Sequence, residues 1–293
     1  MNKPMHSILS AANTASSYKD SHIGHMLVEQ GKLTLQQVET VRLMQKREGL
    51  LFGEAAKRLG LICEDDIQQV LSRQFDYPYL QDGSGNFPST LIAAYRPFSV
   101  EVEELRSIRS QLMSRWFSAS RKKLAIVSVN SGDGTSLLTA NLAVVFAQLG
   151  VQTLVVDANL RAPRQHHIFN LPTPSGLADV LAGRSDLNMI EMIDSFVDLS
   201  LLPAGSPAPN PQELLNRASF NAINQTLCER FDVVLYDTPA LLSAGDALAV
   251  AARAGGVLLV IRKDHTRISD LANVSDQLRH SGAEIVGSVM VSF

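Results

Sequence analysis

LAIVSVNSGDGTSLLTANLAVVFAQLGVQTLVVD, residues 124–157, decides how the chain folds. It opens on an apolar run, LAIVSV, of the length of a buried strand. SVNSGDGTSLL (Ser128–Leu138) then runs from that strand into a helix pattern. Gly132 and Gly134 permit a tight turn and let backbone N–H groups approach an anion closely. A helix beginning near Thr135 adds its dipole and its free N–H groups at the same place. After Gly150 a second strand, QTLVVD, ends on Asp157.

Leu137–Val156 carries no charge over 20 residues, about the span of a bilayer. Thr139, Asn141, Gln148, Gln152 and Thr153 interrupt it, and Gly150 splits it into a helical half and a strand half. The expectation is a soluble helix–turn–strand in a cytoplasmic chain, with membrane contact made only through a partner.

The alternation continues downstream. LSLLPAG, the helix PQELLNRASFNAINQTLCERF, strand DVVLY, helix AGDALAVAARA, strand GVLLVIR, helix RISDLANVSDQLRHSG and EIVGSVMV follow in turn. Apolar runs of four to six residues between helical patterns predict a mostly parallel sheet covered on both faces. In such sheets ligands sit beyond the carboxyl ends of the strands. Three strands deliver polar groups there: the Gly132–Ser136 loop, Asp157 in VVDANLR, and Asp237 in VVLYDTP. Ser136 stands where a P-loop hydroxyl ligates Mg²⁺, and the two aspartates suit Mg²⁺ or its bound waters. Gly132, Asp133, Gly134, Thr135 and Ser136 form the expected phosphate cradle. Two positions depart from the pattern. Thr135 replaces the lysine that precedes the hydroxyl, and Val129 replaces the first glycine.

With these motifs in place, residues 95–293 resemble the bacterial tyrosine kinases of exopolysaccharide and capsule operons, of the chain-length-determinant type. SGDGTS matches the family's Walker A except at the lysine. VVDANLR is similar to its Walker A′, with Asn159 for the second acid and Arg161 one position early. VVLYDTP matches its Walker B, and LLPAGSPAPNPQELL and AAYRPFSVEVEELRSIRSQLM match further family segments. The resemblance implies a P-loop NTPase-like α/β fold that uses ATP and Mg²⁺ for tyrosine phosphorylation. Asp157 would act on Mg²⁺ or as base toward the tyrosine, and Asp237 would hold Mg²⁺ through water. It also implies self-association through Glu103, Arg106 and Arg109, which share one helix face. It implies as well a membrane chain-length-determinant, or polysaccharide co-polymerase, partner.

Activity is placed in doubt by Thr135. Losing the lysine would remove several kcal/mol of transition-state stabilisation, roughly 10²-fold or more in rate. Lys122 and Lys123 lie at the far end of the first strand. Relatives also carry a C-terminal tyrosine cluster, whereas the tyrosines here are Tyr18, Tyr77, Tyr79, Tyr95 and Tyr236. A weak or inactive kinase serving as a scaffold is the leading expectation. A non-catalytic nucleotide- or cyclic di-GMP-sensing adaptor stays open. So does a partitioning or septum-positioning ATPase, although Asn130 and Ser131 stand where those enzymes need a second lysine.

Toward the N-terminus, HIGHMLVEQGKLTLQQVETVRLMQ and LFGEAAKRLGLICEDDIQQVLSRQ repeat at an offset of 29, pairing Gly24 with Gly53, Gly31 with Gly60, Leu33 with Ile62 and Val38 with Ile67. Two helical hairpins forming a small all-α unit are predicted, with Thr34 as a helix cap and Cys63 as its weaker counterpart. This repeat resembles the N-terminal domain of type II secretion and type IV pilus assembly ATPases, some of which bind cyclic di-GMP. The leading arginine of that motif is replaced by His22 and Leu51. The predicted organisation is a disordered tail over 1–20, the repeat over 21–81, a Gly- and Pro-bearing linker over 82–100 and the α/β domain over 101–293.

Composition bounds the rest. With 293 residues the chain can bury roughly three-quarters of its unfolded surface. A balance of 26 basic to 29 acidic side chains, net −3, argues against a globally basic nucleic-acid binder. Cys63 and Cys228 are too few for a disulfide framework. His166 and His167, being adjacent, are expected to point apart and make a poor metal pair.

Overall fold

The structure is a computed structural model that describes residues 23–64, 66–67, 70, 79–80, 86–172 and 175–292. The chain divides into two compact units, Met1–Pro78 and Tyr79–Phe293. The tail over 1–20, His22, Tyr18 and Tyr77 lie outside the described residues.

In the first unit, residues 23–29, Leu35–Glu48 and Phe52–Arg58 are helical. Gly31 and Gly60 end their hairpins' first helices at φ 69° and 67°, a left-handed backbone that glycine adopts without steric cost. Thr34 caps its helix through a full capping box with Gln37. At the counterpart position the cap is reversed. The Cys63 N–H donates to the Asp66 carboxylate at 2.9 Å, because the thiol is a weak acceptor and the acid three residues on takes the role. The 29-residue offset reappears in the packing. Buried Leu27, Leu33 and Val41 sit at the same places as buried Ala56, Ile62 and Val70. A Cβ on Gly24 would meet Val38 at 3.4 Å, and one on Gly53 would meet Ile67 at 2.9 Å. Each glycine opens the same gap for the same apolar partner of its own repeat.

The second unit is built on a seven-stranded sheet: β1 (Lys123–Ser128), β2 (Thr153–Asp157), β3 (Glu191–Met192), β4 (Leu199–Leu202), β5 (Val233–Asp237), β6 (Gly256–Arg262) and β7 (Glu284–Val291). Their order is β3-β4-β2-β5-β1-β6-β7, parallel throughout except the two-residue edge pair β3–β4. Side chains of a strand alternate between faces. Accordingly Ala125, Val127, Leu154, Val156, Val234 and Tyr236 enter one core layer. Leu124, Ile126, Val155, Val233 and Leu235 enter the other. Helices Ser219–Arg230, Asp246–Ala254 and Ile268–His280 contribute to the first layer, and Val100–Arg115 and Thr135–Ala147 to the second. Helix Thr135–Ala147 is buried almost all round, which accounts for its uncharged sequence. No helix among the described residues is long and apolar enough to cross a membrane.

Two expectations are revised. PQELLNRASFNAINQTLCERF is two helices, Pro211–Asn216 and Ser219–Arg230, parted at Arg217 where ψ reaches 146°. A continuous helix would rotate Phe220 about 140° away from Leu215, off the shared core. The break lets both be fully buried. The linker read over 82–100 is, in its described part, folded into the second unit. Leu91, Ala93 and Ala94 are fully buried. Asn141 accepts from the Ala93 N–H at 2.9 Å, and Gln148 donates to the Ala93 carbonyl at 2.9 Å. Those two buried polar side chains, on the helix and at its C-cap, are satisfied by this segment's backbone.

Candidate functional site

The glycine turn follows β1. Gly132 and Gly134 stand at φ 85° and 86°, and the helix starts at Thr135. The first amides of that helix are those that an α-helix leaves without carbonyl partners, and here they face a cleft of about 490 Å³. Gly132, Gly134, Thr135 and Ser136 line it. Asp133 does not. Its carboxylate, fully buried, accepts from the Asn130 N–H at 2.8 Å and lies 3.1 Å from His265 Nδ1. Arg262 donates to the Gly132 carbonyl at 3.3 Å. The turn is therefore pinned to the loop after β6, and Asp133 is its internal brace. The inward direction of Asp133 comes from partners at Asn130 and His265, which the motif alone does not reveal.

Asp157 and Asp237 are register partners at the ends of β2 and β5. Val155 and Leu235, two residues earlier, enter the layer of helix Thr135–Ala147, so both carboxylates face that helix. Both are fully buried. Asp157 accepts from the backbone N–H groups of Asn159 at 3.2 Å and of Arg164 and Gln165 at 3.0 Å. Asp237 Oδ2 accepts from Gln165 Nε2 at 2.7 Å, and the same amide donates to the Ser136 carbonyl at 2.9 Å. Asp237 Oδ1 has no hydrogen-bond partner among the described residues. Gln165 thus ties the turn to both acids, a role the sequence offered no signal for.

Burial pushes the Asp157 carboxyl well above the usual range, and the neighbouring Asp237 charge adds to it. Backbone donors at Gln165, Arg164 and Asn159 pull the other way. Asp237 is raised by burial to about 6, opposed by Gln165, the Ser136 hydroxyl and the Arg164 charge. Two buried acids side by side, one with an orphaned oxygen, fit a hard divalent cation. Two carboxylates and a hydroxyl leave positions for water and phosphate, the way Mg²⁺ is usually held. Among the described residues no three His, Cys, Asp or Glu side chains cluster, so a cage built wholly of such ligands is not what these residues form.

The remaining candidates fall elsewhere. Lys122 Nζ donates to the Cys228 and Phe231 carbonyls at 2.9 and 3.1 Å, and Lys123 Nζ to the Arg253 carbonyl, all at the opposite end of β1. Arg161 forms a two-point pair with buried Asp246 at 2.6 and 3.1 Å. Arg106 pairs with Glu103 on their own helix, and Arg109 donates to the Val145 carbonyl at 2.7 Å. The His166 and His167 rings do not point apart. Their centroids lie 3.9 Å apart with the ring planes tilted by 40°. Burial, then His167, lowers the His166 pKa. Arg164 and His167 line the cleft; Arg164 was not singled out from sequence, and His167 was considered only as a metal ligand.

Residues 121–277 match the family model of cellulose biosynthesis protein BcsQ. The putative tyrosine-protein kinase CapB of Staphylococcus aureus is 33% identical over 69% of this chain and 89% of its own length. The kinase domain of the Escherichia coli tyrosine kinase ETK superposes with a TM-score of 0.66 at 27% identity, over 69% of this chain and 79% of that domain. The septum site-determining protein MinD of Pyrococcus horikoshii, complexed with Mg-ADP, superposes with a TM-score of 0.51 at 26% identity, over 58% of this chain and 69% of its own.

Proposed function

This chain belongs to the bacterial tyrosine-kinase family, and its residues 121–277 to the BcsQ family, and from that membership we propose that it binds ATP with Mg²⁺ and regulates exopolysaccharide synthesis while transferring phosphate weakly or not at all. One observation carries the proposal. Gly132, Gly134, Thr135 and Ser136 line the cleft, Asp157 and Asp237 are buried next to its lining residues Asn159 and Thr238, and Thr135 occupies the lysine's place. Gly132, Gly134, Thr135 and Ser136 would cradle the phosphates. Ser136, Asp157 and Asp237 would hold Mg²⁺, which when bound neutralises charge developing on the transferred phosphoryl group. In place of a direct role on Mg²⁺, Asp157 would alternatively act as the base toward an incoming hydroxyl.

The acceptor side supports weak transfer. Of the described tyrosines, Tyr236 is 1% exposed, and Tyr95 is 8% exposed with its hydroxyl donating to the Phe87 carbonyl at 2.9 Å. Neither can reach a neighbour's cleft without unfolding, which leaves half-buried Tyr79 as the described candidate acceptor. The protein would work on the cytoplasmic side beneath a membrane chain-length-determinant partner. Self-association through Glu103, Arg106 and Arg109 would require the Glu103–Arg106 pair to exchange for contacts with a second copy.

Phosphotransfer from γ-labelled ATP tests the reading. The wild type should label a tyrosine substrate barely above background, and Thr135→Lys should gain about 100-fold or more. Equal rates in the two proteins would refute it. The same departures favour a non-catalytic adaptor as the second reading. Calorimetric binding of cyclic di-GMP but not ATP by the full chain would move the sensor to the repeat unit.

A further inference from the structure

The proposed nucleotide site lacks its lysine, yet its cleft is not without a cation. Arg164 lines it together with Gly132, Gly134, Thr135 and Ser136. Its position is fixed from below, since its backbone N–H donates to Asp157 at 3.0 Å and that of Gln165 does the same. The Arg164 side chain is exposed. It forms no ion pair among the described residues, unlike Arg161, which pairs with Asp246; Arg262 is hydrogen-bonded to the Gly132 carbonyl. Its charge reaches the buried acid, where it opposes the rise in the Asp237 pKa. Lys122 and Lys123 are engaged at the far end of β1.

We propose that Arg164 binds the phosphate chain of the nucleotide in this cleft, supplying the positive charge that Thr135 does not. This rests on the nucleotide reading above. A guanidinium is charged at every physiological pH and offers a two-point fit to phosphate oxygens. Held at the start of a one-turn helix, it also differs from a P-loop lysine in kind. The lysine wraps the terminal phosphates from within the turn, whereas Arg164 approaches from the side that carries the acids. Such a group suits holding a nucleotide better than following a phosphoryl group in flight, which agrees with binding that outlives catalysis.

The test is calorimetry of the full chain with MgATP and MgADP, using wild type, Arg164→Ala, Arg164→Lys, Thr135→Lys and the double variant Thr135→Lys/Arg164→Ala. Thermal unfolding without nucleotide runs alongside. Arg164→Ala should weaken both nucleotides about 10- to 100-fold, as loss of a charge-assisted hydrogen bond does, with its unliganded midpoint unchanged. Arg164→Lys should recover part of the affinity, and the double variant should recover most of it. Wild-type affinity in Arg164→Ala would overturn the role of Arg164 and leave the nucleotide reading standing. No binding of either nucleotide by the wild type would overturn both.

Discussion

Replacing Asp237 by Asn should stabilise the nucleotide-free protein, although the residue sits at the heart of the site. Asp237 is fully buried, and burial moves its carboxyl from an ordinary 3.8 to about 6. A folded-state pKa above the unfolded one means that the folded state holds its proton more tightly. The associated stability is then fully present below about pH 4 and lost as pH rises through about 6. Above that, keeping the carboxylate ionised costs about 3 kcal/mol. Asn retains an oxygen for the Gln165 Nε2 donor and removes the charge beside Asp157. For a unit of this size about 3 kcal/mol corresponds to roughly 5–10 °C in Tm. Asp179 acts in the opposite sense. Burial raises it, but donors at Ser206, Arg184 and Gly176 outweigh that and leave its pKa lowered, so its contribution fades only in more acidic solution. The assay is thermal unfolding by circular dichroism from pH 5 to 8 in EDTA. Wild-type Tm should fall across that range, and Asp237→Asn should flatten the profile and exceed wild type at pH 8. A wild-type Tm that rises toward pH 8, or an Asn variant less stable there, would refute the reasoning.

Other consequences are separately measurable. Mg²⁺ should raise the wild-type Tm at pH 8 and leave Asp237→Asn unmoved, because the cation relieves the repulsion that the substitution has already removed. Gly176→Ala should cost several kcal/mol in urea unfolding, since its Cβ would lie 2.1 Å from the Pro203 carbonyl oxygen and 2.5 Å from the Gly205 nitrogen, neither of which can yield. Gly53→Ala should cost less, about 1 kcal/mol, because its Cβ meets the flexible Cδ1 end of Ile67 at 2.9 Å.

Much of this architecture was legible because its signals are local and periodic. The parallel sheet announces itself through apolar runs that alternate with helices, and the repeat through glycines 29 residues apart. Asp157 and Asp237 were legible as strand-end acids, and the sheet register then sets them side by side. What stayed hidden depends on contacts between distant segments. Asn141 and Gln148 gave no hint that 90–93 would satisfy them. The break at Arg217 reflects a core shared by two helices, not a local breaker residue. Arg161 drew notice through its motif but is consumed by Asp246, 85 residues away, while Arg164, in no motif, reaches the cleft.

A crystal structure of the full chain soaked with MgADP offers the sharpest test. The diphosphate is expected on the amides of Gly132–Ser136, with the cation between the Ser136 hydroxyl and the carboxylates of Asp157 and Asp237. A nucleotide bound elsewhere, or an empty turn at saturating MgADP, would contradict the assignment of this cleft.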